Sequence, residues 1–203
     1  MSIVFYAAPY SSATPVSAAL AELEVEHERV PVDLAAGEQK DPAFLKLNPN
    51  GKVPTLVADG TPMFEGLAII LWLGDRFGIA RGVWPATDAP ARMQALSWSV
   101  FAYVSYLTAL RRWHFAASEY TAPELRNEAH AAHAADELET LKRVLDGHLS
   151  GRDYLLGETF SLADLVAASV VGYGVWTGSA VDDHAHVAAW LARCQARPSM
   201  QVA

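Results

Sequence analysis

The sequence predicts an α/β unit followed by an all-α unit, and three observations carry that prediction. In the first 78 residues, β-branched runs and helical spacings alternate in the order strand, helix, strand, then strand, strand, helix. That order suits a compact unit with helices packed on a mixed sheet. The stretch "GIARGVWPATDAP" that follows is rich in Gly, Pro and small residues and reads as a linker. Everything beyond it has helical patterning. The expected boundaries are 1–78 for the α/β unit, 79–90 for the linker and 91–203 for the helical unit.

Within the α/β unit, "SIVFY" is a buried strand ending before Pro9. Val16, Ala19, Leu20 and Leu23 then recur at helical spacing, with Ser11, Ser12 and Thr14 as candidate caps and Pro15 suited to a first turn. "HERVPVDL" alternates as a second strand, and "DPAFLKLNP" forms at most a short helix stopped by Pro49. "VPTLV" and "TPMF" flank the turn-former "ADG" and pair as an antiparallel hairpin. An apolar helix runs from Glu65 toward Gly78.

In the helical unit, "RMQALSWSVFAYVSYLTALRRWHF" carries one aromatic stripe through Trp98, Phe101 and Ser105 and another through Tyr103, Tyr106, Leu110 and Trp113. A long amphipathic helix is expected to open at Thr121 with Glu124 closing a capping box. Ser161 and Asp164 form a second, Asp-closed box with Phe160 as hydrophobic staple, and "VAAWLARCQARP" is a last amphipathic helix.

Composition narrows the function. The chain of 203 residues is 52% hydrophobic, ample for a substantial core, and its formal net charge is −8. With no Lys/Arg-rich run, a nucleic-acid backbone is repelled. The longest apolar run, "LAIILWL", is far shorter than the roughly 20 residues of a membrane span. "MSIVFYAAPY" lacks the basic residues of a secretory or transit leader, so a cytoplasmic location is expected. Cys194 is the single cysteine, which excludes an internal disulfide and a Cys-x-x-Cys redox pair. His130 and His133 lack a third ligand at metal-binding spacing, and no metal is expected.

Three places are left where chemistry is expected. Tyr10, Ser11 and Ser12 lie at the mouth of the first helix, where free backbone N–H groups and the helix dipole favour negative charge; a plain N-cap is the alternative role for either serine. In "NGKVPTL", a cis Val53-Pro54 bond would turn the Val53 N–H and C=O toward an extended peptide ligand. Glu65-Gly66 opens a helix directly after a strand, a position suited to a carboxylate or phosphate.

These three places, in this order, resemble the cytosolic glutathione transferases, and the resemblance covers nearly the whole chain. It is closest to the phi-type and related bacterial enzymes. "SSAT" is similar to their catalytic-serine motif, "VPVDLAAGEQKDPAFLKLNPNGKVPTL" to their glutathione-binding segment, and "DYLLGETFSLADL" to the capping motif of their helical domain. The resemblance implies an N-terminal thioredoxin-like domain with a mixed four-stranded sheet, a C-terminal all-helical domain and a homodimer. It implies glutathione as co-substrate with no other cofactor, and a small apolar electrophile as second substrate. Ser11, with Ser12 as the alternative, would hold the glutathione sulfur as a thiolate. Gln39, Lys40 and Lys52 would face the glycine carboxylate, Val53 and Pro54 the cysteinyl unit, and Glu65 and Gly66 the γ-glutamyl group. Tyr106 and Trp113 are expected either in the electrophile pocket between the domains or in the helical core.

Two departures stand out. Where the family has Glu-Ser, this chain has Glu65-Gly66, so one hydroxyl donor to the γ-glutamyl carboxylate is missing. A hydrogen bond to a charged group contributes about 1.5 to 3 kcal/mol, or roughly tenfold or more in affinity. Pro15 and Val16 also replace the basic residues that commonly follow the serine motif. The alternative of a binding or scaffold protein with weak or no catalysis follows from these two departures.

Overall fold

A computed structural model describes residues 1–202 and contains a four-stranded sheet in the order β2-β1-β3-β4. In β1 (Ile3–Ala7), Ile3, Phe5 and Ala7 are buried while Val4 and Tyr6 are partly exposed, the period-two pattern of a strand. β2 (Glu28–Pro31) pairs with β1 in parallel, so the two are joined by a crossover through helix α1 (Thr14–Glu22). β3 (Thr55–Ala58) runs antiparallel to β1 and pairs with β4 (Thr61–Phe64). Asp59 and Gly60 turn that hairpin with φ of 46° and 81°, the two positive values a type I′ turn requires.

Helix α1 buries Val16, Ala18, Ala19 and Leu20 and packs against α3 (Gly66–Leu73), whose Ile69, Ile70 and Leu73 are fully buried. Pro15 occupies its first turn, as expected. No serine caps it, however: Ala13 stands at the N-cap without a side-chain bond, and the Ser11 and Ser12 hydroxyls point elsewhere. A short α2 (Pro42–Leu47) ends at Asn48, just before Pro49.

The chain divides into two compact units, Met1–Thr87 joined by the segment from Arg197 onward, and Asp88–Ala196. The final segment returns to the first unit because Arg197 and Ser199 both donate to the Glu22 carboxylate at the end of α1. The second unit holds α4 (Ala91–Val100), a π-helical stretch (Phe101–Tyr106), α5 (Leu107–Ala117), α6 (Glu128–Leu149), α7 (Leu162–Trp176) and α8 (Ala185–Gln195).

The long helix α6 starts later than its sequence suggests. Pro123–Leu125 form only a 3-10 turn, and Asn127 is the N-cap, accepting from the His130 N–H at 3.0 Å. Arg126 donates to the carbonyls of Thr121 and Glu119, which holds the preceding segment in a loop rather than a helical turn. The second capping box is present as expected at Ser161 and Asp164, and Phe160 is buried with its ring edge-on to Tyr154. Helix α7 is apolar nearly all round, the pattern of a helix at the centre of its unit. No helix among the described residues is long and apolar enough to cross a membrane.

Candidate functional site

Strand register gathers the expected site at one end of the sheet. Tyr6 is opposite Thr55 and Thr55 is opposite Phe64, while Ala7 is beside Pro31. The chain leaving β1 toward Ser11, the chain leaving β2 toward Gln39, the entry to β3 at Val53-Pro54 and the exit from β4 at Glu65-Gly66 therefore share that end. All of these residues belong to the first unit.

Ser11 and Ser12, adjacent in sequence, have different roles in the hydrogen-bond network. The Ser11 Oγ–H donates to the Ala8 carbonyl at 2.7 Å, and the Ala13 N–H donates to Ser11 Oγ at 3.1 Å. The Ser12 Oγ–H donates across the fold to the Val53 carbonyl at 2.8 Å. Ser11 thus has an oxygen fixed by a backbone donor and a proton directed at a local carbonyl, and Ser12 ties two loops together.

The Val53-Pro54 peptide bond is cis, and both residues are buried. Its loop is held from inside by two residues that sequence reasoning missed. Asn48, 2% exposed, donates from Nδ2 to the Lys52 carbonyl at 2.7 Å and to Thr55 Oγ1 at 3.1 Å, and its Oδ1 accepts from the Asn50 N–H at 3.0 Å. Thr55, fully buried, also donates to the Lys52 carbonyl at 3.2 Å. The signal available in sequence was the Asn-Pro-Asn-Gly turn, because an Asn side chain closing onto the backbone two residues on is the habit of that residue in turns.

Gly51 brings the Gln39-Lys40 segment against this loop. Its φ is 57°, and a Cβ there would meet the Gln39 carbonyl oxygen and Lys40 Nζ at 2.8 Å each. Only glycine fits that approach. Lys40 Nζ donates to the Asn50 carbonyl at 3.4 Å, and with the exposed Lys52 it makes a local cationic end on an acidic chain. Gln39 donates from Nε2 to the Leu34 carbonyl at 3.4 Å, while its buried Oε1 has no partner among the described residues.

Glu65 caps α3 with φ 71° and ψ 110°, outside the regions a non-glycine residue ordinarily occupies. Tyr10, beside Ser11, is 93% exposed with φ 50°. The other two non-glycine residues of positive φ among those described, Glu24 and Asp59, occupy turns away from this end of the sheet. Strained backbone at two site-flanking positions fits the general clustering of strain where a fold is shaped for a ligand.

Tyr106 and Trp113 belong to the second unit. Tyr106 is 1% exposed, and burial together with the Glu139 carboxylate raises its hydroxyl far above the usual phenol range. Such a group is a core residue. Trp113 is half-buried beside Gly178.

No group of three metal-ligating side chains occurs among the described residues. Two concavities of about 410 Å³ and 360 Å³ open near Leu23 and Arg193, and neither is lined by an expected site residue. The expected site residues share an end of the sheet through strand register, and neither concavity marks them.

Comparison with known proteins matches the chain to two family models. Residues 1–75 match the family model "Glutathione S-transferase, N-terminal domain" and residues 100–198 match "Glutathione S-transferase, C-terminal domain". A glutathione S-transferase of Hyoscyamus muticus is 32% identical over 194 residues, covering 91% of this chain and 88% of that protein. A disulfide-bond oxidoreductase of Escherichia coli is 30% identical over 206 residues, covering 97% of this chain and 92% of the relative. The solved structure of a glutathione transferase from Burkholderia graminis, with two glutathione molecules bound per subunit, superposes with a TM-score of 0.84 at 27% identity, over 98% of this chain and 85% of that one.

Proposed function

The chain belongs to the glutathione S-transferase family, and from that premise we propose that it binds glutathione along the site end of its sheet and transfers the thiolate to a small apolar electrophile. The observation that carries the proposal is the convergence, by strand register, of Ser11, the cis Val53-Pro54 step and the Glu65-Gly66 helix start.

In this reading the tripeptide lies extended across the edge. Lys40, Lys52 and Gln39 take the glycine carboxylate, the Val53 backbone pairs with the cysteinyl unit, and the N–H groups opening α3 at Gly66 receive the γ-glutamyl carboxylate. Ser11 swings its proton from the Ala8 carbonyl to the sulfur, while the Ala13 N–H keeps its oxygen in place and strengthens it as a donor. An unperturbed thiol titrates near 8.5, and each unit of lowering needs about 1.4 kcal/mol of preference for the thiolate. A hydroxyl donor beside a helix N-terminus is of the right size to supply it.

The thiol proton leaves to solvent, the sulfur lone pair forms the new S–C bond, and a leaving group departs with its electron pair. Where the electrophile is an activated alkene, the electrons instead move onto it and solvent returns a proton. The homodimer belongs to the same proposal: Met93, Val100 and Val104, spaced along one helical face, are 73%, 44% and 59% exposed. A monomer in sedimentation at micromolar concentration would refute that part.

Ser11→Ala tests the mechanism. It should lower conjugation of a generic aryl halide by about a hundredfold while leaving glutathione affinity within about twofold. Retained activity would sink the assignment. No calorimetric binding at millimolar glutathione would favour the scaffold alternative, which Gly66 motivates.

A further inference from the structure

We propose that Ser12 is a positioning residue that fixes the ligand-pairing backbone of Val53, and that it is not the hydroxyl that meets the sulfur. The inference rests on the glutathione reading above and deepens it.

The Ser12 Oγ–H donates to the Val53 carbonyl at 2.8 Å, across 41 residues of sequence. A hydroxyl has a single proton, so in this arrangement Ser12 has none to offer a thiolate. Ser11, by contrast, gives its proton to a carbonyl three residues away and has its oxygen held by the Ala13 N–H. Ser11 can turn its proton outward without releasing the loop; Ser12 cannot.

The geometry of the Val53 loop shows what the bond achieves. On the inner side, Asn48 and Thr55 hold the Lys52 carbonyl. No residue of that inner network holds the next carbonyl, that of Val53, which is met by Ser12 from the start of α1. The two successive peptide groups are thus anchored from opposite sides. A carbonyl oxygen has two acceptor positions, so the Val53 oxygen can keep Ser12 on one and take a ligand N–H on the other. Holding that oxygen also fixes the plane of the Val53 peptide before the ligand arrives, which reduces the ordering that binding would otherwise require.

The test uses the full chain and three variants, Ser12→Ala, Ser12→Thr and Ser11→Ala. Ser12→Ala is expected to raise the KM for glutathione about fivefold with kcat within about twofold, from the loss of one neutral hydrogen bond. Ser12→Thr, which keeps the hydroxyl, restores KM. Ultraviolet titration of bound glutathione at saturation should give the same thiol midpoint in Ser12→Ala as in the wild type, and a raised midpoint in Ser11→Ala. A raised midpoint in Ser12→Ala, or a collapse of its kcat at unchanged KM, overturns the proposal by making Ser12 the sulfur donor. Amide hydrogen exchange at Lys52 and Val53 without ligand separates the two levels of inference. If the wild type binds no glutathione, the functional reading fails on its own. Faster exchange in Ser12→Ala then upholds the tether, and unchanged exchange overturns it.

Discussion

The site end of the sheet and the interior of the helical unit use polar groups in opposite ways. At the site, short neutral side chains hold backbone: Asn48 and Thr55 on the Lys52 carbonyl, Ser12 on that of Val53. In the helical unit, ionisable groups are buried and held by others. Asp164, fully buried, accepts from the Leu155 N–H, the Trp190 Nε1–H and both the N–H and the O–H of Ser161. Lys142, 8% exposed, donates to the Ala180 carbonyl, and burial lowers its pKa against the opposing pull of Glu139 and Asp183. His184 brings Nε2 to 3.0 Å from the same Glu139. Perturbed titration is a common flag of active sites, but structural networks perturb it too. Here Tyr106, Lys142 and Asp164 mark architecture, while the proposed chemistry rests on the Ser11 hydroxyl and on the direction of the backbone groups around it.

Removing the Asp164 carboxylate should be the largest single effect available. Asp164→Ala leaves four buried donors without an acceptor, and the expected loss is about 4 kcal/mol of stability. Denaturant unfolding followed by tryptophan fluorescence reads it. A loss below about 1 kcal/mol would break the contrast, because the helical unit's buried charge would then be no more important than a surface group.

The same contrast explains what the sequence disclosed. The order of elements along the first unit, the hairpin at Asp59-Gly60 and the box at Ser161-Asp164 were legible because periodicity and turn chemistry are local. Val53-Pro54 and Glu65-Gly66 were legible because a proline before a strand and a helix opening directly after one are unusual local choices. Asn48 and Thr55 were not, since their value lies in hydrogen bonds closed only by the folded loop. The start of α6 was misplaced because the Thr121-x-x-Glu124 pattern is a true capping signal in isolation. Asn127 and the Arg126 bonds to loop carbonyls outcompete it in the fold. The return of the chain's end to α1 was hidden for the same reason. Glu22 and Arg197 are 175 residues apart and no spacing rule joins them.

Gly66→Ser sharpens the site's half of the comparison. A serine there adds a hydroxyl donor at the opening of α3, where the proposed γ-glutamyl carboxylate lies. A hydrogen bond to a charged group contributes about 1.5 to 3 kcal/mol, so the glutathione Kd should tighten about tenfold. Calorimetry measures it directly. Unchanged affinity would count against placing the carboxylate at this helix start.

The smallest expected effect compares two carboxylates through their pH dependence. For Glu22, burial pushes the pKa up, but hydrogen bonds from Arg197 and Ser199 and the Arg197 charge outweigh it, so the group titrates below its ordinary 4.5. The unfolded chain therefore binds the proton more readily, and the stabilisation is present above pH 4.5 and fades as pH falls through the lower folded value. Asp164 has the opposite sign: burial dominates its hydrogen bonds and raises it above 3.8, so its contribution is full below 3.8 and declines as pH rises through the higher folded value. Glu22→Gln should cost about 1 kcal/mol at pH 7. Its deficit relative to the wild type should shrink as the solution is acidified below about pH 5, because protonation removes the same charge from the native protein. Unfolding free energies measured for both proteins across pH 3 to 7 test this, about the whole acid range a carboxylate spans. A deficit that stays constant with pH would mean that Glu22 acts through packing and neutral hydrogen bonding, and that the Arg197 charge contributes nothing to holding the chain's end on α1.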